Sequence, residues 1–263
     1  MKTTLLKLLL LVPAFYSTMF AIAPAQATDY VIATPPADLK VGPLADDGSR
    51  HFVMIFGAES SPKRARYTHT WATWVKSTPQ PDGTRLLAID TISWMPANLV
   101  IRPLALRGEC GINLGLQATL RDCFCKGECV AMWGPYEYDA AVAPQVYDRV
   151  LRQIARLNSG CMLYKCIDPD SGPRARQMCD CIHAVTDLDP YLSRPFYSEL
   201  QNFGMDASRR LVQVLAGRHR FDVGHTHEWI AAAVGVGNCV QRRTISVCTT
   251  PACQTPGCNT IAR

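Results

Sequence analysis

An α+β fold is predicted from three features of the sequence. Strand-like apolar runs cluster early in the chain, helical periodicity takes over from about residue 142, and one more short strand leads into a helix that opens with a cysteine. The expected architecture is a small antiparallel sheet packed with helices and followed by a disulfide-rich C-terminal extension.

Residues 1–27 have the layout of an export signal. Lys2 and Lys7 give a positive start, residues 8–23 are largely apolar, and Ala25-Gln26-Ala27 is a small-residue cleavage pattern. Pro13 and Lys7 interrupt the apolar run below the roughly 18–20 residues that a spanning helix needs, so cleavage after Ala27 is expected rather than a retained anchor. The formal charge of +5 falls to +3 without the two leader lysines. That balance is too small to recommend nucleic acid or an anionic membrane as a partner. The mature chain is then long enough for one well-packed domain.

Residues 28–50 hold Pro35, Pro36 and Pro43 with little periodicity, which predicts an extended lead-in rather than a packed element. The run from His51 to Phe56, ending at Gly57, predicts a buried strand. Residues 67–75 predict a second, with Tyr67, His69, Trp71, Thr73 and Val75 on one face and Thr68, Thr70, Ala72 and Trp74 on the other. Pro81-Asp82-Gly83 makes a turn, and residues 86–94 a third strand stopped by Pro96, completing an antiparallel meander. A helix is expected over residues 114–123 and a short strand over 129–133, closed by Gly134-Pro135. Residues 142–157 give the clearest helix, with Val146, Val150, Leu151, Ile154 and Leu157 in one stripe and Asn158-Ser159-Gly160 as terminator. A strand over 162–167 precedes the Cys181 helix, and further helical pieces are expected at 196–202, 207–215 and 228–234. The domain is thus bounded at 51–238, with a polar, Cys-rich tail over 239–263.

The composition is unusual in cysteine. All twelve lie between Cys110 and Cys258. In an exported chain that count points first to disulfides, whose pairing the sequence leaves open. Cys181 stands apart, because a thiol in the first turn of a helix meets unpaired N–H groups and the positive end of the dipole, which favour thiolate.

A histidine within an early strand, followed downstream by Tyr164-x-x-x-Asp168 and a helix starting Asp180-Cys181-Ile182-His183, resembles the permuted branch of the papain-like, NlpC-type thiol hydrolases. That branch includes lecithin retinol acyltransferase-like enzymes, in which histidine precedes cysteine. The corresponding residues are His69, in Thr68-His69-Thr70-Trp71, and Cys181. The stretches from Met132 to Glu137, from Tyr164 to Asp168 and from Cys181 to Val185 also resemble exported bacterial proteins of planctomycete type. The resemblance spans residues 52–187, and Asp180 stands where asparagine is usual before the cysteine. It implies a papain-like permuted core and an exported hydrolase or acyltransferase that acts on an envelope peptide, amide or ester without a cofactor.

In chemical terms, Cys181 would attack a carbonyl, His69 would remove its proton, and a polar residue on a neighbouring strand would orient the imidazole. Asp90 is the first candidate for that orienting role, with Ser93 and Glu59 behind it. The N–H of Cys181 would be one oxyanion donor, and Tyr164 a further oxyanion or substrate contact. His183 and the four tryptophans Trp71, Trp74, Trp94 and Trp133 are expected to be structural, and Cys179 a bridge partner.

Two alternatives stand beside this reading. One is a disulfide-stabilised secreted binding or structural module without catalysis. The other is a metal-dependent hydrolase at His225 and His227, with Glu228 or Asp222 near, although the spacing is not that of a helical H-E-x-x-H site. Cys123, Cys125 and Cys129 lack the paired C-x-x-C form of common zinc sites.

Overall fold

The chain alternates strands and helices in the order β1 (Asp29–Ala33), β2 (Arg50–Glu59), β3 (Thr68–Pro79), β4 (Arg85–Ile92), β5 (Trp94–Pro96), β6 (Glu109–Asn113), α1 (Leu116–Cys125), β7 (Cys129–Glu137) and α2 (Ala143–Asn158). There follow β8 (Leu163–Tyr164), β9 (Met178–Cys179), α3 (Cys181–Thr186), α4 (Met205–Gly217), α5 (Glu228–Ala233) and β10 (Gln241–Arg243). These elements belong to a computed structural model that describes residues 28–37, 39, 47–167, 177–188, 203–217 and 221–245. The expected helix at 196–202 and Asp168 lie outside the described residues.

The meander forms as its pattern requires. β2, β3 and β4 pair antiparallel in order, and the intervening turn carries Gly83 at φ +82 with the Asp82 carboxylate accepting from the Thr84 N–H at 2.9 Å. The sheet is larger than expected. Six strands run β1-β4-β3-β2-β7-β10, and a second sheet runs β5-β6-β8-β9. Both faces of the central strands are covered, so alternation divides two apolar cores instead of a core from solvent. Phe52, Met54, Phe56, Trp71 and Val75 join Leu116 and Leu120 of α1 and Ile230 of α5. Val53, Ile55, Ala72 and Trp74 join residues of α2, α3 and α4, among them Val150, Ile182 and Leu211. Each such fully buried side chain contributes roughly 1.5–3 kcal/mol through removal from water.

Several expectations are corrected. The lead-in contains β1, a five-residue edge strand whose pairing with β4 is made by backbone and therefore leaves little apolar signature. Gly57 does not end β2. It lies inside the strand because α4 crosses there, and a Cβ at this position would stand 2.7 Å from Met205 Cα. The third strand divides at Ser93, whose N–H is taken by the Asn113 carboxamide at 2.8 Å while that side chain donates to the Thr91 carbonyl at 2.8 Å. A side chain thus replaces a neighbouring strand and turns the backbone into the second sheet. β7 continues through Gly134-Pro135 to Glu137, with Gly134 at φ +92 where the register against β2 shifts.

On α2, Leu151 is exposed, and Gln153 is buried in its stead, donating to the Ala184 carbonyl at 3.1 Å. The strand expected over 162–167 is only two residues long. It pairs in parallel with β9, which period-2 patterning cannot reveal at that length. The tail expected as an appendage adds β10 in parallel to the edge of β7.

Candidate active site

Asp180 caps α3. Its Oδ1 accepts the His183 N–H at 2.6 Å, which starts the helix at Cys181. α3 packs against β3, and the backbone amide of Thr70, the residue directly after His69, acts on the Cys181 thiol to lower its pKa. The pairing of β4 with β3 ends at Ile92 and Ala72, so Thr70 lies beyond the covering strand and its N–H is open to the thiol. The Cys181 side chain is nearly enclosed, and burial, then the Asp180 carboxylate, push its pKa well above the ordinary thiol range. The Thr70 and Cys181 amides oppose that rise without cancelling it.

His69 is buried on β3 with its ring stacked on Trp71 at 5.2 Å. Nε2 lies 2.9 Å from Ser93 Oγ, and Ser93 Oγ lies 2.8 Å from Thr119 Oγ1 of α1, which reaches the Gly115 carbonyl at 2.9 Å. Nδ1 is buried and has no hydrogen-bond partner among the described residues. Burial holds the imidazole at a pKa of about 3, with Lys126 adding to the depression, so the ring is neutral near pH 7. Its stacking on Trp71 aligns His69 with the α1 side of the sheet, whereas Cys181 belongs to the core of the α3 side. The thiol meets β3 at the strand edge, through a main-chain N–H, and makes no hydrogen bond to the imidazole.

Asp90 does not orient His69. Its carboxylate accepts from the Tyr147 hydroxyl of α2 and from Thr28 Oγ1 at 2.8 Å. Glu59 pairs with Lys63 at 3.2 Å. Of the three candidates for the orienting role, Ser93 is the one on the ring, and the break between β4 and β5 is what brings it there. Tyr164 does come close to Cys181. It is fully buried, and burial, then the Cys181, Cys166 and Asp180 groups, raise its pKa well above the usual phenol value. Two participants had no sequence signal, the Thr70 amide and the Thr119 hydroxyl, because both act from positions fixed only by packing.

His227 and His225 meet edge to face at 4.7 Å, and His227 Nε2 lies 3.6 Å from Glu137 Oε2, on a carboxylate that accepts from Arg50 Nε at Oε1 and from Arg50 Nη2 at Oε2. Among the described residues no group of three His, Cys, Asp or Glu is placed to hold a metal ion. The tryptophans expected as core, Trp71, Trp74, Trp94 and Trp133, are all buried. No two of the described cysteines are joined by a disulfide, and no described helix is long and apolar enough to cross a membrane. Comparison with family models, curated proteins and solved structures returns no match.

Proposed function

We propose that the chain is an exported thiol hydrolase or acyltransferase that acts on an amide, peptide or ester, with Cys181 as nucleophile and with His69, the base that the resemblance implies, held on the opposite face of β3. One observation carries this reading: the helix that opens with Cys181 packs on the strand that bears a histidine whose Nε2 is anchored and whose Nδ1 is unpartnered among the described residues. Thr119 Oγ1 donates to Ser93 Oγ, which keeps a second lone pair for the ring, so in the tautomer this reading requires His69 Nε2–H donates to Ser93. Nδ1 then carries the lone pair that a general base requires. Cys181 and His69 are both neutral at rest, so proton transfer would accompany attack instead of preceding it as an ion pair. The Cys181 and Thr70 amides, both of which act to lower the thiol pKa, would serve as donors for the oxyanion that follows.

The second reading, a non-catalytic exported module, is favoured by the raised pKa of Cys181 and by the absence of a thiol–imidazole hydrogen bond. An activated ester separates the two. Incubation with p-nitrophenyl acetate followed by intact-mass and peptide mapping should place one acetyl group on Cys181, formed on the order of 100-fold more slowly in His69→Ala. Acetylation spread over exposed cysteines and indifferent to His69 would leave the module as the surviving account.

A further inference from the structure

A different buried acid has no counter-charge among the described residues. Asp90 on β4 is 3% exposed, and among the described residues its two oxygens are met by hydroxyls, Tyr147 on Oδ2 and Thr28 on Oδ1. Lys76, the cation on the neighbouring strand β3, stands opposite Ala88 and is committed to Asp47 at 3.2 Å. A buried carboxylate without a cation is costly unless one is supplied. The pairing of β1 with β4 matches Asp29 to Ile89 and Tyr30 to Ala88. Continued by one residue, it sets Thr28 directly across from Asp90.

Thr28 is also the residue after Ala25-Gln26-Ala27, the small-residue cleavage pattern of the leader. We infer that Asp90 is the receptor for the mature N-terminus, so that leader removal creates an ion pair fastening β1 to the edge of the sheet. In the step, water adds across the Ala27–Thr28 peptide bond under a leader peptidase. The acyl carbon leaves as the Ala27 carboxylate on the leader, and the amide nitrogen becomes the Thr28 α-ammonium. That nitrogen and Oγ1 are vicinal on the Cα–Cβ bond, so a carboxylate already held by the hydroxyl lies within reach of the new charge. Before cleavage the same nitrogen is a neutral amide and brings Asp90 no charge. The inference rests on the exported reading and is independent of the chemistry at Cys181.

The test compares the chain beginning at Thr28 with one that retains Ala25-Gln26-Ala27 and so carries its ammonium three residues away, each with Asp90 and with Asp90→Asn. With Asp90 present, the Thr28 form should melt about 2–4 °C higher, and in Asp90→Asn that difference should vanish. Equal melting temperatures with Asp90 present, or a difference that survives Asp90→Asn, overturn the ion pair. If Asp90→Asn does not fold, the two natural-sequence forms decide alone. N-terminal sequencing of the protein recovered after export is the separate arm. A start at Thr28 supports the assignment, and any other start refutes the processing step whatever the melting curves give.

Discussion

Two thiols are buried on opposite sides of one sheet, and the comparison shows what burial alone cannot do. Cys123, near the C-terminal end of α1, sits in the core shared with α5, and burial, then the Glu128 and Asp122 carboxylates, drive its pKa upward. Cys181, at the start of α3, sits in the core shared with α2 and α4 and is also driven upward, by burial and then by Asp180. The difference lies in what else each sulfur meets. Glu128 bonds to the Cys123 thiol, and its own carboxyl pKa is raised by burial. The Thr70 amide and the amide of Cys181 itself act to lower the Cys181 pKa, and α3 adjoins the strand that carries His69. Amide donors aimed at a sulfur stabilise the negative charge that an attack would develop, and a carboxyl group beside it does not.

The sharpest way to break the comparison is substitution. Cys181→Ser should abolish acetyl transfer from p-nitrophenyl acetate, on the order of 100-fold or more, whereas Cys123→Ser should leave the rate within about twofold and show its effect in melting temperature. Equal losses for both would make the distinction meaningless. Next in size is the pH dependence of stability, which tests the His69 side of the sheet. Burial depresses His69 to about 3 and His51 and His227 to about 4, each below an unfolded value of 6.5. The unfolded chain therefore binds more protons below pH 6.5. Stability is fully present above that value and falls as pH drops toward 3–4. Melting temperature should decline steadily from pH 6.5 to 4, and His69→Gln should flatten the slope by about one proton. An unchanged slope would mean that His69 is not buried neutral.

The smallest expected effect concerns the packing behind Cys181. Gly57→Ala would push a methyl against the α4 backbone at Met205, a destabilisation of about 1–3 kcal/mol. Urea denaturation should show it as a lowered midpoint with unchanged slope. Retained stability would mean that α4 is free to shift away from β2.

Some of this was legible in the residues. The β2–β3–β4 meander follows from strict alternation and a turn at Asp82-Gly83, and α2 follows from its apolar stripe, apart from the exchange of Leu151 for Gln153 at the buried surface. The start of α3 at Cys181 was visible because Asp180 is a capping residue. What escaped depends on partners remote in sequence. β1, β9 and β10 are short strands held through backbone pairing to neighbours, and backbone hydrogen bonds leave no side-chain pattern to read.

The sequence by itself placed a cysteine at a helix start, a histidine on a strand and an acid on the next strand, because local periodicity and capping are short-range properties. Only the tertiary structure decided what each one faces. Asp90 lies against Tyr147 and Thr28 and not against His69, Ser93 takes the imidazole because the strand breaks there, and Cys181 meets Thr70 because β4 has ended. Those meetings are set by where strands stop and which helix covers them, and such endpoints are fixed by packing between segments many residues apart.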